Sequence, residues 1–409
     1  MSVKLKVQLS AMMFLQYIIW GAWYVTMGNY LGKTLLFDGY QIGVAYSTVS
    51  IAALISPFFV GMVADRFFPT QKVLAFLHLL GALLLYLTAQ TTDFSLFYPL
   101  LLGCTLCYMP TIALTNSLSF NLMEDPGKEF PPIRVLGTIG WILMGLTISF
   151  LGFEDNASMF YVASACSAVM GLYCLTLPHM EPAAKGKKIS IGDVIGLDAL
   201  SLFKDKSFSV FFISSLLICI PLTFYYNFTN LFLNDVGMEN AAAKMTMGQM
   251  SETIFMLIMP IFFVRLGVKK MLIVAMVCWA ARYVLFSMGN NESLVWMLYA
   301  GIILHGICYD FFFVTGQIYV DNKAGEKIKN AAQGLITFAT YGLGMLMGSY
   351  VSGFVVKQYS EVTNEVTVYN WQSIWQFPAV AAVVVLVIFV LLFNDKTGVK
   401  KQTDEVVNA

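Results

Sequence analysis

The 409-residue sequence predicts an all-α polytopic membrane protein, with twelve transmembrane helices in two six-helix bundles. Three observations carry this reading. Hydrophobic residues make up 58% of the chain and charged residues only 12%, against about 25% charged in soluble domains. Apolar runs of about 20 residues recur from end to end, each long enough to cross roughly 30 Å of hydrocarbon as a helix. One polar, basic stretch near the middle leaves six such runs on either side.

The spans fall at 7–31, 40–63, 72–91, 94–121, 131–152, 157–177, 208–233, 243–264, 268–289, 293–320, 329–356 and 371–393. The first is too long for a signal-peptide core and lacks a small-residue cleavage site, so it reads as a retained span. The second runs into a charged loop, Gly61-Met-Val-Ala-Asp65-Arg66. The third, ninth and twelfth stand out on hydropathy alone. The fourth holds Cys104 and Cys107, a C-x-x-C spacing. At lipid depth small-residue packing outweighs a redox or zinc role there, as it does for all seven cysteines. The fifth opens on Pro131-Pro132, a natural helix start. The sixth closes an N-terminal bundle at 1–177, followed by a cytoplasmic linker at 178–207 and a C-terminal bundle at 208–409. Pro221 in the seventh span implies a kink or a local opening of the backbone. In the eleventh, Gly344 and Gly348 form a G-x-x-x-G, which lets helix backbones approach closely.

Net charge is zero, with 24 basic and 24 acidic residues, and no nucleic-acid partner is expected. If the spans alternate, 19 of the 24 Lys and Arg fall on one side, Lys33, Lys244 and Lys357 fall on the other, and Arg134 and Arg282 lie within spans. By the positive-inside rule both termini are cytoplasmic, in a multi-pass protein of the cytoplasmic (inner) membrane.

Polar groups inside the spans carry the functional reading. Twelve uncharged residues separate Glu252 from the next charge, Arg265. An ionised side chain at membrane depth costs about 2.5–3.5 kcal/mol on insertion scales, so such a residue points to transport before architecture. Gln249 shares its helix face, three residues away. In span ten, His305, Tyr309 and Phe312 repeat at i, i+4, i+7, with Asp310 and Gln317 on the adjoining face. Span seven gathers Thr223, Tyr226, Asn227 and Asn230; span five sets Arg134, Thr138 and Trp141 at i, i+4, i+7. Lipid penalises all of these, which suggests one aqueous cavity between the bundles. Blander accounts stand beside this one. Asn227, Asn230 and Gln317 also suit simple helix–helix bonding, Tyr309 and Trp141 suit packing, and His305 suits an interhelical donor. Arg134 either faces the cavity or marks the cytoplasmic end of its helix. Arg282 either snorkels outward or pairs with a carboxylate.

Two carboxyls at depth, Glu252 and Asp310, suggest proton coupling, because a carboxyl there can take up and release a proton as the conformation changes. One charge crossing a potential of about 150 mV yields roughly 3.5 kcal/mol. About half a pH unit adds roughly 0.7 kcal/mol, enough together for accumulation on the order of a thousandfold. No cofactor is expected beyond the proton as coupling ion, and no nucleophile–base set or metal-ligand spacing points to an enzyme.

Resemblances sharpen this. The loop with Gly61, Asp65 and Arg66, and a degenerate copy after span eight with Arg265 and Gly267, resemble the G-x-x-x-D-R-x-G-R-[KR] loop of the major facilitator superfamily. That resemblance implies a gating role, with Asp65 and Arg66 fastening helix ends that part as access alternates. The ordered set LQYIIWGAW at 15–23, FPPIRVLGTIGW at 130–141, GLDALSLFK at 196–204, GQMSET at 248–253, YDFF at 309–312 and AAQG at 331–334 is similar to the nucleoside:proton symporter family. What this implies is uptake of nucleosides driven by the proton gradient. Arg134, Thr138 and Trp141 would contact the nucleoside from the first half, with Gln249, Glu252, His305 and Tyr309 doing so from the second. Asp310 matches the family's acidic residue. Thr223 and Tyr226 stand where the family leads one to expect amides, His305 replaces a tyrosine, and Trp141 is larger than the expected phenylalanine.

The expectation is therefore a proton-coupled nucleoside symporter, working by alternating access in the lipid bilayer as a monomer. A proton-coupled sugar symporter on the same scaffold, and a non-transporting membrane receptor, are the alternatives.

Overall fold

The computed structural model describes residues 1–180, 197–364 and 366–394, without the side chains of 57–66, 126, 127, 197, 198, 326, 327 and 330. Helix follows helix. In chain order these are α1 (Val3–Trp23), α2 (Gly39–Arg66), α3 (Thr70–Ala89), α4 (Phe94–Leu122), α5 (Pro126–Phe150), α6 (Ser158–Cys174) and α7 (Lys206–Asp235). Then come α8 (Ala241–Met288), α9 (Val295–Ile303), α10 (His305–Tyr309), α11 (Thr315–Thr337), α12 (Met345–Gln358) and α13 (Trp371–Leu392). All twelve predicted spans are helical. Seven described helical stretches are long and apolar enough on their own to cross a membrane. A short hairpin pairs Ser360–Thr363 with Val366–Tyr369 before the last helix.

Helix starts follow capping chemistry. The Asp93 carboxylate accepts from the Ser95 amide at 2.8 Å at the head of α4, and Asn370 Oδ1 accepts from the Ser373 amide at 3.1 Å at the head of α13. The amide beside Asp93 also holds its carboxyl below the usual carboxylate range.

Two expected loops differ from expectation. Helix α8 carries spans eight and nine as one run broken only at Gly267 (φ 66°, ψ 174°), and α11 joins spans ten and eleven through Gly325 (φ 65°, ψ 174°). Both glycines adopt nearly the same left-handed conformation, which a Cβ disfavours. A single residue can thus do the work of a loop, a shortening that hydropathy does not register.

The chain resolves into two compact units. One comprises Met1–Lys188, Tyr226–Ala243 and Val362–Thr367. Inside it, α3 packs on α6 where a Cβ at Gly171 would come within 2.8 Å of Leu79. Helix α1 packs on α5 at Gly21, Gly137 and Gly140, with the Phe14 carbonyl 2.8 Å from a Cβ at Gly140. His78, Gln16 and Thr111 form a buried chain of hydrogen bonds at 3.0 and 2.8 Å, so these polar groups are satisfied away from water.

The other unit comprises Ile189–Tyr225, Lys244–Glu361 and Val368–Ala409. The G-x-x-x-G of span eleven acts here as the sequence implied. A Cβ at Gly344 would lie 2.7 Å from the Leu216 carbonyl, and one at Gly348 would collide with the Thr223 hydroxyl, so α7 and this span touch backbone to backbone. Two π-helical segments, Asp310–Val314 and Phe338–Gly344, interrupt spans ten and eleven. Such segments are rare and frequently mark functional sites.

Candidate functional site

The first unit assembles an aromatic cluster around α5. The tight α1–α5 crossing at Gly137 brings Arg134 against α1, where its guanidinium lies 4.1 Å from the centroid of the Tyr17 ring. That is a cation–π contact, which holds the charge in place while leaving its N–H groups able to donate. Two turns along α5, Trp141 meets Trp20 edge-on at 5.5 Å and Tyr24 at 6.3 Å. Tyr24 in turn meets Tyr226 at 6.0 Å. Thr138 stands on α5 between Arg134 and Trp141 and is half-buried. The Trp20 indole N–H is buried with no hydrogen-bond partner among the described residues. Arg134, Thr138, Trp141 and Tyr226 therefore belong to one neighbourhood of planar rings and donors, suited to a flat, polar-edged solute.

The second unit builds a polar cluster on α8 and α10. Two glycines permit it. A Cβ at Gly306 would sit 2.5 Å from the Glu252 amide nitrogen, and one at Gly248 would sit 3.2 Å from His305 Cβ. With the backbones this close, His305 Nε2 comes within 3.8 Å of Glu252 Oε2. Ser251 Oγ donates to the Ile303 carbonyl at 2.6 Å, satisfying a backbone acceptor where α9 gives way to α10. On its other edge, His305 Nδ1 receives Arg282 Nη2 at 3.1 Å. Arg282 is wholly buried, its guanidinium 4.2 Å from the Tyr225 ring centroid, and Tyr225 stacks on His305 at 4.9 Å. Gln249 is half-buried one turn before Glu252, whose own side chain is 25% exposed. The cluster thus remains open at its carboxylate end.

Tyr309 continues the face of His305, with ring centroids 5.7 Å apart, and its hydroxyl forms a short hydrogen bond with that of Tyr341. Tyr309 immediately precedes the first π segment and Tyr341 lies at the middle of the second. Asp310 opens the first of them. It is fully buried, and neither carboxyl oxygen has a hydrogen-bond partner among the described residues. A buried carboxyl without a partner is costly and calls for a functional reason.

The remaining sequence-predicted residues fall elsewhere. Thr223 is fully buried, donates to the Ile220 carbonyl at 2.7 Å and abuts Gly348, so its polar group is spent within its own helix. Gly61, Asp65 and Arg66 end α2, and their side chains lie outside the described residues, as does most of the 178–207 linker. Asn230 turns to Glu154, donating at 2.9 Å. Sequence reasoning passed over Glu154 because it lies between spans, where an acidic residue is ordinary. Yet it is only 7% exposed and also accepts from Asn234 Nδ2 and the Ala242 amide, each at 3.0 Å, and from Ser149. Sequence reasoning left Arg282 unassigned and passed over Tyr225 and Tyr341. A buried Arg inside an apolar run was the only signal for them. No group of three or more metal-ligating side chains occurs among the described residues.

Comparison with known proteins gives this geometry a context. A family model described as Nucleoside H+ symporter matches residues 1–398. The putative nucleoside transporter YegT of Escherichia coli (strain K12) is 44% identical over 414 residues, covering 97% of each chain. The nucleoside permease NupG of the same organism is 35% identical, over 96% of this chain and 97% of its own. A crystal structure of nucleoside transporter NupG superposes with a TM-score of 0.88 at 35% identity, over 96% of this chain and all of that one.

Proposed function

The chain belongs to the nucleoside H+ symporter family, and we propose that it imports nucleosides across the cytoplasmic membrane with protons entering alongside. Both termini are cytoplasmic in this reading, and a single chain is the working unit. Arg134, Thr138, Trp141 and Tyr226 supply ring faces and donors for the solute. Gln249, Glu252, His305 and Tyr309 supply acceptors, donors and a further ring. The chemistry is that of a nucleoside: a flat base to stack, and ribose hydroxyls and base edges to pair. A site built on such pairing rejects analogues that lack one partner group, because its own polar groups are then left unmatched.

The observation that carries the proton assignment is Asp310, enclosed and without a hydrogen-bond partner among the described residues, directly after Tyr309 and one helical stretch on from His305, which faces Glu252. A carboxyl at that depth that exchanges one proton changes the local charge by a full unit, and so ties proton movement to the conformational cycle. Asp65 and Arg66 remain candidates for the gating loop of alternating access.

The test is uptake into proteoliposomes under an imposed inward proton gradient, comparing labelled nucleosides with mono- and disaccharides. Concentrative uptake of one or more nucleosides, with alkalinisation of the outer medium, is expected. If sugars are concentrated and nucleosides are not, the substrate assignment fails. If Glu252→Gln and Asp310→Asn both still concentrate nucleoside like the parent, the proton assignment fails.

A further inference from the structure

His305 stands between two charged groups that constrain it from opposite edges. Arg282 Nη2 lies 3.1 Å from His305 Nδ1, and Glu252 Oε2 lies 3.8 Å from His305 Nε2. A guanidinium has five N–H donors and no acceptor, and it stays charged throughout the working pH range. Where its nitrogen faces an imidazole nitrogen at hydrogen-bond distance, the imidazole can only accept. His305 Nδ1 must therefore present a lone pair, which leaves the ring's single proton on Nε2, directed at Glu252.

The ring cannot readily escape this arrangement. It stacks on Tyr225 at 4.9 Å with only 15° between planes, and Gly248 on α8 lies against its Cβ. Arg282 is held by the same Tyr225 ring, at 4.2 Å. Titratable and charged groups that face His305 include Glu252 and Arg282 from the two arms of α8, Tyr225 from α7, and Tyr309 on its own helix. Of these, Arg282 brings a donor to a ring nitrogen at hydrogen-bond distance. A second proton on the ring would place an N–H donor and a positive charge against the guanidinium, inside a site where His305 is only 2% exposed and Arg282 0%.

We infer that Arg282 is a positioning residue that locks His305 as a neutral Nε2–H donor facing Glu252, and so excludes this histidine from carrying the transported proton. The role of the lock rests on the nucleoside-symport reading: His305 then presents one fixed donor beside Glu252, while proton exchange is confined to the carboxyl groups of Glu252 and Asp310. Without the lock, either ring nitrogen can bear the proton, and half of the donor–acceptor pattern is lost.

The experiment is nitrogen-15 NMR of the full-length, histidine-labelled protein in nanodiscs, with no substrate present. The chain has only 3 histidines, so His305→Phe assigns the signal by its disappearance. The expected spectrum has an unprotonated Nδ1 and a protonated Nε2 throughout the pH range in which uptake is measured. In Arg282→Met the proton should be shared between the two ring nitrogens, because the donor that reserves the Nδ1 lone pair is gone, whereas in Arg282→Lys it should stay on Nε2. A protonated Nδ1 in the parent, or the same single Nε2–H form in Arg282→Met, overturns the inference. Should Arg282→Met fail to fold, the parent and Arg282→Lys decide: a protonated Nδ1 in either overturns the inference.

Uptake supplies an independent arm. Arg282→Met should slow nucleoside uptake by about tenfold when His305 is present and by less than about twofold in the His305→Phe background, since the two act as one unit. Losses that simply multiply would show Arg282 acting by some other route, and would also overturn the inference. If nucleoside is not transported at all while the spectrum is as expected, it is the functional reading that fails and the tautomer assignment that stands.

Discussion

The Glu154 carboxylate accepts a hydrogen bond from Asn230 Nδ2 at 2.9 Å, fastening the segment between α5 and α6 to the last turns of α7. The same carboxylate takes Asn234 and the backbone amide of Ala242, so one acidic group serves as acceptor for donors over a stretch of 13 residues, 230 to 242. Glu154→Ala leaves the Asn230 amide and the Ala242 N–H unsatisfied, and each such buried donor costs about 1–3 kcal/mol. Thermal unfolding in detergent should show a loss of at least about 2 kcal/mol, with Glu154→Gln recovering part of it. Equal melting of Glu154→Ala and the parent would mean that this network holds nothing together.

Glu252→Gln and Asp310→Asn remove an ionisable group with little change in volume. Concentrative uptake under a proton gradient should fall from the order of a thousandfold toward unity, the ratio expected once proton energy is no longer harnessed. Nucleoside exchange with no gradient should survive in at least one of the two variants. Counterflow and uphill uptake, measured on the same vesicles, separate these behaviours.

Gly306 and Gly334 make a controlled pair. A Cβ at Gly306 would meet the backbone of Ser251 and Glu252 at 2.5 Å, whereas one at Gly334 would meet nothing within 4 Å. Gly306→Ala should force α10 from α8 at a cost of about 1–3 kcal/mol, with nucleoside binding weakened because the Glu252–His305 spacing widens. Gly334→Ala should be neutral or stabilising by up to about 1 kcal/mol, since it removes a flexible residue from a helix. Melting and equilibrium binding on both variants check the contrast.

Asp205, ahead of α7, accepts from Lys323 Nζ at 2.8 Å. That hydrogen bond, aided by the Phe208 and Ser207 amides, holds its carboxyl below the ordinary carboxylate range. A depressed acid contributes stability that is fully present above its unfolded value of about 3.9 and is lost as pH falls through the folded one. Unfolding followed down through this acid range should reveal that loss, and Asp205→Asn should remove it. Because the Asp205 side chain is 40% exposed, added salt should shrink the effect.

How much of this was legible depends on the range of the forces involved. Hydropathy is local, so all twelve helical spans could be read from the chain. Gly344 and Gly348 could be read as a close packing surface because their spacing alone requires it. What needed three dimensions were matches between distant residues. Gly248 and Gly306 look like any other glycines until α8 and α10 meet. Asn230 looks like a residue facing the solute until Glu154, distant in sequence, takes its amide. Arg282 could be read as a snorkelling cation or a carboxylate partner, and neither description covers a guanidinium whose donor goes to an imidazole. The π segments are likewise invisible to a 3.6-residue period, which expects Asp310 and Tyr341 in regular helix.

The single-residue joint at Gly267 has a mechanical consequence. Glu252 lies on one arm of α8 and Arg282 on the other, with a lone glycine as the break in helical geometry between them. The imidazole touches both arms, so opening or closing this elbow alters its distance to the carboxylate, to the guanidinium, or to both.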